Sequence, residues 1–537
     1  MHTIVIFFSR IFMKIDPSGS GWRIMVAVDL AFDIHNSALK CIEMAQLALQ
    51  AILLRRGGLP QFLPLYDFLV VGCLFTAMTL SLVAAEASAT VIIDSSHPSA
   101  PLADDYAGLS YETERELPDA EGKYYFRPDN APLTKMFQTL GLKNLRIGGN
   151  MVDSSKVAVP TQADIDQLFG FAKAAGLRVI YSFRLKNGDA ATSAAQAKYI
   201  ADHYADNLAC FCIGNEPDLY VHSYSGYLKI WQPIYDAINQ VVPNAKFCGP
   251  SLTSNARSWA QDFARDYASS GKILYVTQHE YPGGPGGKIK DPAYGRDQLL
   301  LPAWYQTCQR YCDKFVPPLQ AASVPYRFDE ANNFYNGGAV DVSDTFASAL
   351  WGLDYLYWWA EHGSQGINFH TGDEVAAGPV LRPCRYASFT SAPDGYFAHP
   401  LAYGIKLFTL GSHGRLVSAT VTAETSAADL NLAAYAVLGT DQSLYVTLIN
   451  KEHDATARDA SVTIQTGSAS YTSAQTMVLA SPQGDDAAKE GVTLGGETIH
   501  NDGSWQGKWT DLPVKPGSPV QIKVPACSAL LIHLIAR

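Results

Sequence analysis

Short apolar stretches alternate with stretches of helical periodicity from residue 104 to about residue 404. Eight such strand–helix repeats in a row strongly limit the fold, because they predict a closed parallel (β/α)8 barrel. An open, doubly wound sheet is the structural alternative, but no Gly-x-Gly-x-x-Gly sequence follows the first strand. The predicted strands are 107–111, 144–148, 178–183, 208–213, 246–249, 273–279, 326–329 and 366–370.

The segment 161–175 illustrates the helical pattern between these strands. Thr161 can cap the start of a helix here, and Gly176 follows its end. Apolar side chains recur at the spacing of one helix face; they are Ile165, Leu168, Phe169 and Ala172.

Beyond Gly404 helical periodicity is missing and turns rich in Gly, Ser, Asp and Thr recur. Strands are predicted at 443–449, 520–524 and 528–535, which together indicate an antiparallel β-sandwich. A lone strand at 90–93 precedes the barrel, and this strand can pair with the sandwich. The predicted domains are therefore a barrel over 90–404 and a sandwich over 405–537.

The first 89 residues differ from the rest and predict an export signal. Arg55 and Arg56 precede an apolar stretch over 68–85, and the small residues Ala87 and Ala89 follow at cleavage spacing. Met44 is a second candidate for the first residue. We expect a secreted or periplasmic protein without stable membrane association after cleavage. The alternative is an uncleaved anchor, because about 18 apolar residues just span a bilayer.

Composition excludes some classes of partner. The net charge is −11, only 17% of residues are charged, and no run of Lys or Arg follows residue 56, so we expect no nucleic-acid partner. Seven cysteines follow residue 89, an odd number that does not suit a disulfide scaffold. No Cys-x-x-Cys pair or Cys/His zinc spacing occurs. We expect neither a metal ion nor a cofactor.

Two glutamates fall at the ends of predicted barrel strands, where such barrels carry their chemistry. Glu216, in CIGNEPD, ends strand four, and Glu330, in YRFDEANN, ends strand seven. Pro217 disfavours the helical region for the residue before it, so we expect Glu216 to be extended. Paired carboxyls about 5–5.5 Å apart are typical of retaining glycosidases. The alternative is a pair of buried acids held in salt bridges.

Polar residues beside these glutamates fit the same chemistry. Asn215 can hydrogen-bond the 2-hydroxyl of a sugar. Tyr281 can hold Glu330 ionised while Glu216 stays protonated. We interpret His279 as a hydrogen-bonded residue of the cleft wall and not as a metal ligand. The glycine-rich stretch 282–288 lacks the Ser or Thr of a phosphate-binding loop, so we expect a mobile rim loop.

Four motifs carry a resemblance to a known family: LRIGGN (145–150), CIGNEPDLY (212–220), QHEYPGG (278–284) and FDEANNFYNGG (328–338). Together they resemble glycoside hydrolase family 79, in particular its bacterial β-glucuronidase branch, with heparanase as a more distant relative. The resemblance covers about residues 90–537. It implies that Glu216 is the acid/base and Glu330 the nucleophile. It also implies that Asn215 binds the 2-hydroxyl and that Tyr281 contacts the nucleophile.

The resemblance further implies a set of residues that bind the sugar. Tyr335 and Gly337, with Gly338 beside them, match a loop that recognises the uronate carboxylate. Glu112 matches an acid that binds ring hydroxyls, and Tyr386 is the candidate for a tyrosine that follows strand eight. No Arg or Lys lies within 332–338, so we expect neutral donors to bind the carboxylate.

The leading hypothesis is thus an exported retaining β-glucuronidase whose partner is a carbohydrate. A second hypothesis places another sugar on the same two glutamates, as in a β-glucosidase or a β-xylosidase. A third is a non-catalytic carbohydrate-binding protein. Comparing rates on a glucuronide and a glucoside separates the first two, and the third is disfavoured because both glutamates, Asn215 and Tyr281 are all present.

Overall fold

The computed structural model divides the chain into two compact units, Met1–Val83 and Ala84–Arg537. It describes residues 12–15, 22–25, 87–377, 380–423, 429–467, 469 and 471–536. In the first unit β1 (Phe12–Ile15) and β2 (Trp22–Met25) form an antiparallel pair. The apolar part of the predicted export signal, 68–85, lies outside the described residues, as does Met44. Within the described ranges, no helix has the length and apolarity needed to cross a membrane.

Eight parallel strands of the second unit close into a barrel, because the last strand pairs with the first. This closure confirms the predicted barrel and excludes the open sheet. Seven predicted strands agree with the structure within two residues at each end. The fifth extends three residues further, past Gly249 and Pro250, residues that usually weaken a strand pattern. The strands are β4 (Ala107–Glu112), β5 (Asn144–Gly148), β6 (Arg178–Phe183), β7 (Leu208–Ile213), β8 (Phe247–Leu252), β9 (Ile273–Glu280), β10 (Tyr326–Ala331) and β11 (Ile367–His370).

Helices follow the strands and bury their apolar faces against them. The helix predicted over 161–175 is confirmed: Thr161 and Asp164 form a reciprocal capping box, and Gly176 ends the helix with φ 74°. The helices are α1 (Ala131–Leu140), α2 (Gln162–Ala175), α3 (Ala190–Tyr204), α4 (Tyr224–Val241), α5 (Arg257–Tyr267), α6 (Pro292–Leu300), α7 (Ala303–Ala321), α8 (Phe346–Glu361) and α9 (Pro400–Gly411).

Two short hairpins lie between β11 and α9, at the end of the barrel where the strands terminate. Neither was predicted, because their strands are only four residues long and pair only with each other. They are formed by β12 (Glu374–Ala377) with β13 (Val380–Pro383), and by β14 (Phe389–Ala392) with β15 (Gly395–Ala398).

The remaining strands form two packed sheets, which confirms the predicted sandwich. The long strand β16 joins both sheets, since its first residues pair with β17 and its later residues pair with β3. Apolar side chains from both sheets share one core. The strands are β3 (Ala87–Asp94), β16 (Arg415–Ala423), β17 (Leu432–Leu438), β18 (Leu444–Asn450), β19 (Ala460–Gln465), β20 (Tyr471–Ala480), β21 (Thr493–Leu494), β22 (Thr510–Leu512), β23 (Val520–Val524) and β24 (Ser528–Ala536).

One strand pair differs from the antiparallel prediction. β3 pairs with β19 in parallel, with Val91 opposite Ile464. β3 precedes the whole barrel in the chain, so no short turn forces it to be antiparallel to its neighbours. The lone strand at 90–93 is thus part of a strand that starts at Ala87 and lies in the sandwich.

The predicted domain boundary after residue 404 falls inside α9, which ends at Gly411. The first strand of the sandwich after the barrel begins at Arg415. The prediction ended the barrel too early because α9 is almost wholly apolar and so lacks the alternating pattern of a surface helix. The predicted N-terminal extension, 1–89, likewise overlaps β3 by three residues.

Candidate active site

Glu216 follows β7 in a tight turn that fixes its backbone. Its N–H donates to the Ser251 carbonyl at 2.8 Å, and its carbonyl accepts from Leu219 N–H at 3.0 Å. Its φ and ψ are 43° and 51°, the left-handed region. The expected extended conformation is therefore wrong. Pro217 excludes the right-handed helical region for Glu216, but the 3-10 turn Pro217–Leu219 starts immediately and requires a sharp bend. Non-glycine residues with such backbone angles are often found at functional sites.

Glu330 reaches the cleft through an irregularity in β10. Arg327 pairs with Thr277 and Glu330 pairs with His279, so two residues of β10 face one residue of β9. Such a bulge breaks the alternation of side chains along a strand and redirects them. As a result, consecutive acids, Asp329 and Glu330, are both buried at the end of the barrel.

The two predicted catalytic glutamates lie close together. One carboxylate oxygen of Glu216, one of Glu330 and a ring nitrogen of His279 all lie within 4.8 Å of one another. Retaining glycosidases have their carboxyls about 5–5.5 Å apart, whereas inverting enzymes have them about 6.5–9.5 Å apart. The separation fits the retaining geometry.

Glu330 is surrounded by donors and cations. Tyr281 donates its hydroxyl to Oε1 at 2.8 Å, and Arg146 donates Nη1–H to Oε2 at 2.8 Å. Nδ1 atoms of His279 and His370 each lie 3.8 Å from a carboxylate oxygen. Burial alone would raise the pKa of Glu330, but these histidines, Arg146 and Tyr281 lower the pKa well below its usual range. Glu330 is therefore ionised, as a nucleophile must be.

Among the described residues, Glu216 has one close cationic partner, His279, whose Nδ1 lies 2.9 Å from Oε1 of Glu216. Burial raises the pKa of Glu216 above its ordinary value, although the hydrogen bond with His279 opposes this effect. Its side chain is 15% exposed, compared with 8% for Glu330. A protonated carboxyl at the more open position suits a general acid.

His279 contacts both glutamates and is only 1% exposed. Burial alone would lower its pKa, but the Glu330 charge, the hydrogen bond with Glu216 and the Asp329 charge raise the pKa to about 9. The residue interpreted as part of the cleft wall is thus a cation whose Nδ1 faces both candidate catalytic carboxyls.

Arg146 joins Glu330 to Asn215 and was not predicted. Its Nη2–H donates to Asn215 Oδ1 at 2.7 Å, and Asn215 Nδ2–H donates to Asn150 Oδ1 at 3.2 Å. These bonds fix the amide of Asn215 beside Glu216. Arg146 is fully buried in β5. The sequence signal that could have identified it is a charged residue inside the apolar stretch of LRIGGN.

Three predicted tyrosines lie together at the mouth of the barrel. The Tyr281 ring is 6.2 Å from the Tyr335 ring and 6.1 Å from the Tyr386 ring. Tyr386 is buried and also lies 6.2 Å from the His370 ring. Tyr335 is 41% exposed and lies at the rim. The structure therefore places both Tyr335 and Tyr386 next to Tyr281, the tyrosine that donates to Glu330.

The loop after β10 presents backbone N–H groups near these tyrosines. Gly337 and Gly338 have φ of 87° and 88°, which favour glycine. Their N–H groups form no hydrogen bond within the described part of the chain. A Cβ on Gly337 would lie 2.9 Å from the Pro383 carbonyl, so the hairpin β12–β13 packs tightly against this loop.

The glycine-rich stretch 282–288 is hydrogen-bonded to the loop after β10. Gly286 N–H donates to the Tyr335 carbonyl at 3.1 Å, and Tyr335 N–H donates to the Gly284 carbonyl at 2.9 Å. A Cβ on Gly286 would lie 2.1 Å from the Gly338 carbonyl oxygen. The glycines thus allow two backbones to approach closely, and the expected mobility of this stretch stays a prediction.

Glu112 ends β4 and is 1% exposed. Its Oε2 accepts from Met151 N–H at 2.9 Å, and its Oε1 accepts from Ala376 N–H at 3.2 Å. Nε2 of His370 lies 3.5 Å from Oε1. The structure places Glu112 beside the site, where its carboxylate also holds two loops in position.

Two sets of described side chains have the composition and spacing of metal ligands. One is Glu216, His279 and Glu330, whose contacts with one another are those given above. The other is Cys212, Cys248 and Asp329, which are all buried. The seven described cysteines are free thiols in the structure and are all buried. The expectation that the protein uses no metal or cofactor stays a prediction.

Parts of the chain are similar to known proteins. The description "Glycosyl hydrolase family 79 C-terminal beta domain" matches residues 434–531. A "Beta-glucuronidase" of Aspergillus niger is 25% identical over 45% of this chain and 47% of its own length. A "Beta-glucuronidase" of Neurospora crassa is 24% identical over 52% of this chain and 60% of its own length. The chain thus matches about half the length of these curated relatives.

Solved structures show the same fold. A 4-O-alpha-L-rhamnosyl-beta-D-glucuronidase from Fusarium oxysporum 12S is similar with a TM-score of 0.63 and 19% identity, over 83% of this chain and 100% of that one. A GH51 arabinofuranosidase from Xanthomonas axonopodis pv. citri has a TM-score of 0.59 and 15% identity, over 84% and 100% of the two chains. The bacterial branch proposed from the sequence stays a prediction. Residues 434–531 thus match the C-terminal domain of glycoside hydrolase family 79, and the chain is similar to two curated β-glucuronidases over about half of their length.

Proposed function

We propose that the protein is a retaining β-glucuronidase that hydrolyses β-D-glucuronides by double displacement. The observation that carries this proposal is the pair Glu216 and Glu330, whose oxygens lie within 4.8 Å and whose pKa values shift in opposite directions. One ionised and one protonated carboxyl in one cleft supply both roles that the reaction needs. The names of the two curated relatives support a glucuronide as the substrate.

In the first step, Glu330 attacks the anomeric carbon and forms an ester with the sugar. Glu216 gives its proton to the oxygen of the departing alcohol, so the bond to that alcohol breaks and Glu216 becomes a carboxylate. In the second step, Glu216 takes a proton from water, and the resulting hydroxide oxygen attacks the anomeric carbon. Glu330 leaves as a carboxylate, and the sugar is released as the β-anomer.

The neighbours of these glutamates position them for each step. Arg146 and Tyr281 hold both oxygens of Glu330, which orients the nucleophile and keeps it ionised. Asn215 is held by Arg146 and Asn150, so its amide is ordered before the substrate binds. A hydrogen bond from this amide to the 2-hydroxyl would strengthen in the transition state.

A glucuronide carries a carboxylate where a glucoside carries a hydroxymethyl group, so its binding site needs hydrogen-bond donors for that anion. The hydroxyl of Tyr335 and the N–H groups of Gly337 and Gly338 lack partners among the described residues and lie on one loop. We propose that they bind the two carboxylate oxygens. Successive backbone N–H groups at residues of positive φ are suited to anions.

The experiment that tests the function compares aryl β-D-glucuronide with aryl β-D-glucoside. We expect cleavage of the glucuronide at a much higher kcat/KM, with the β-anomer as the first product in a proton NMR time course. An α-anomer as the first product would exclude the retaining mechanism. Higher activity on the glucoside would keep the mechanism and reject the substrate.

A substitution tests the carboxylate loop. Tyr335→Phe should lower kcat/KM on the glucuronide by about 10- to 150-fold, because a hydrogen bond to a charged group contributes about 1.5–3 kcal/mol. Activity on the glucoside should remain nearly unchanged. The matched control is Tyr294→Phe, an exposed tyrosine on α6, which should affect neither substrate. Equal losses on both substrates would give Tyr335 a structural role.

We also propose that the protein is exported and cleaved after Ala87 or Ala89. The basic pair Arg55 and Arg56, the apolar stretch 68–85 and the small residues after it support this proposal. Either cleavage shortens β3 but leaves Val91 and Ile93, its inward-facing apolar residues, in the sandwich. N-terminal sequencing of the protein recovered outside the cytoplasm would identify the cleavage site. An N-terminus upstream of residue 68 would indicate an uncleaved anchor.

A further inference from the structure

Asp329 precedes the nucleophile in β10 and is completely buried. Its Oδ2 accepts a hydrogen bond from the Ser251 hydroxyl. The N–H of Ser251 in turn bonds the Thr277 hydroxyl at 3.2 Å, so the bond to Asp329 comes from a fixed group. A buried carboxylate is rare unless cations or donors compensate its charge.

Two cations face Asp329. Nε of Arg146 lies 3.9 Å from Oδ2, and Nε2 of His279 lies 3.7 Å from Oδ1. These two nitrogens and Asp329 Oδ1 are buried and have no hydrogen-bond partner among the described residues. Unpartnered buried polar atoms are costly, and here they are of opposite charge and face one another. Their attraction is strong because all three side chains are buried, where the local dielectric constant is low.

The other ring nitrogen of His279 faces the catalytic carboxyls. Nδ1 lies 2.9 Å from Glu216 Oε1 and 3.8 Å from Glu330 Oε1. The imidazole therefore separates the catalytic pair, on the Nδ1 side, from Asp329, on the Nε2 side. The other charged groups around this network are Arg146 from β5 and His370 from β11, both of which contact Glu330.

The proposed reaction moves one negative charge past this imidazole. Before the first step Glu330 is charged and Glu216 is neutral. In the glycosyl-enzyme Glu330 is a neutral ester and Glu216 is a carboxylate. The charge therefore moves between two positions that both face Nδ1, while Asp329 forms no bond to the sugar.

We propose that Asp329 is a positioning residue, the fixed anion that keeps His279 cationic and its Nδ1–H directed at the catalytic pair in both half-reactions. This inference rests on the proposed function only for its catalytic consequence. The arrangement of Asp329 and His279 itself is a property of the protein without substrate.

The first test observes His279 directly. In protein labelled with ¹⁵N-histidine, long-range ¹H–¹⁵N spectra report the protonation of each ring nitrogen, and His279→Gln identifies the signals of His279. At pH 8 the wild-type imidazole should be protonated on both nitrogens, because its pKa is raised to about 9. A neutral imidazole at this pH in the wild-type protein would overturn the proposal without any variant.

Asp329→Asn removes the charge and keeps the shape. It should lower the pKa of His279 by about 1 to 3 pH units, the effect of one opposite charge at close range. Asp329→Glu keeps a carboxylate, so the pKa of His279 in this variant should lie much closer to the wild-type value. The matched control is Asp105→Asn, a buried carboxylate that binds Arg178 at 2.8 Å outside the site, and it should leave the His279 titration unchanged. An unchanged titration in Asp329→Asn would refute the proposal.

A double-mutant cycle tests the catalytic consequence with an aryl glucuronide. Asp329→Asn alone should lower kcat/KM by about tenfold or more, but it should cause little further loss in the His279→Gln background, because coupled residues are not additive. Circular dichroism would establish that each variant is folded. Losses that multiply would show that Asp329 acts independently of His279. An inactive wild-type protein would reject the proposed function, whereas the histidine titration would still decide the role of Asp329.

Discussion

Glu216 and Glu330 are the same residue type in one cleft, and their surroundings alone give them different protonation states. Glu330 receives hydrogen bonds from Arg146 and Tyr281 and lies near two histidines, so cations outweigh its burial. Among the described residues Glu216 has one cationic neighbour, His279, and the burial of Glu216 outweighs that contact. A raised and a lowered pKa side by side are the condition for general acid and nucleophile to work at one pH.

Glu330→Gln should lower kcat on an aryl glucuronide by at least about 1,000-fold, because an amide does not form the sugar ester. The amide keeps the shape of the side chain, so the circular dichroism spectrum should not change. Glu374→Gln is the control, since Glu374 is exposed on β12, and it should retain activity. Substantial turnover by a pure Glu330→Gln preparation would assign the nucleophile to another residue.

Glu216→Ala should separate substrates by their leaving groups. Poor leaving groups need protonation and should lose about 100- to 10,000-fold in kcat/KM, the usual contribution of a general acid. Activated aryl glucuronides should lose far less in this parameter. Azide, which needs no general base, should partly restore turnover of the activated substrate and give a β-glucuronosyl azide. Uniform losses across leaving groups would place the acid elsewhere.

The sequence indicated both glutamates because each follows a strand in a repeated pattern, and strand ends meet at one face of a barrel. It did not indicate Asp329, His370 or the central role of His279. Their contacts depend on the bulge in β10 and on how neighbouring strands align, which no local pattern reveals. The left-handed conformation of Glu216 was missed for a related reason, since the turn that requires it is fixed by a hydrogen bond to Ser251, 35 residues away.

At the scale of elements, local signals predicted local structure. Helix α2 begins and ends where its capping residues indicate, and the barrel strands agree with their apolar stretches. Elements that are held by contacts distant in sequence were harder to predict. The end of α9 was missed because its surface is covered by other parts of the protein, and the parallel pairing of β3 with β19 joins segments more than 360 residues apart. Periodicity carries no information on such pairings.

Helix α2 offers a quantitative test of local signals. Thr161 Oγ1 accepts from Asp164 N–H at 3.4 Å, and Asp164 accepts from Thr161 N–H at 2.6 Å. Thr161→Ala should lower the free energy of unfolding by about 1 kcal/mol, because it removes the N-cap acceptor. Thr161→Ser keeps the hydroxyl and should change the free energy of unfolding by only a few tenths of a kcal/mol. Urea unfolding measures both, and equal losses in the two variants would mean that the methyl group matters more than the cap.

At the scale of the whole molecule, barrel and sandwich share a buried polar contact. Asp354 of α8 accepts from Lys451 Nζ and from the Tyr435 hydroxyl, both at 2.6 Å. The side chain of Asp354 is 2% exposed and that of Lys451 is 5% exposed. Removing one partner would leave an uncompensated buried charge. This contact joins barrel and sandwich within the compact unit Ala84–Arg537.

Buried titratable groups make the stability of this unit depend on pH. Burial raises the pKa of Glu116 and of Glu280 to about 8. A carboxyl whose pKa is raised in the folded state holds a proton there that the unfolded chain has released. Its stabilising effect is therefore complete below about pH 4.5 and is lost as the pH rises through 8. The pKa of His279 is raised to about 9, so the stability that its protonated form contributes is also lost as the pH rises, through about 9. We expect the protein to lose stability between pH 5 and pH 9.

Glu116→Gln tests this origin of the pH dependence. Glu116 is 1% exposed, lies in the turn after β4, and accepts a hydrogen bond from the Tyr181 hydroxyl at 3.1 Å. Each such carboxyl lowers the free energy of unfolding by up to about 1.4 kcal/mol per pH unit between its two pKa values. The amide does not titrate. Between pH 5 and pH 8, the urea concentration at the unfolding midpoint should therefore decrease less for the variant than for the wild-type protein. Glu121→Gln, at an exposed position of the same loop, should follow the wild-type curve. If Glu116→Gln also followed it, the pH dependence would have to come from Glu280 and the histidines of the active site.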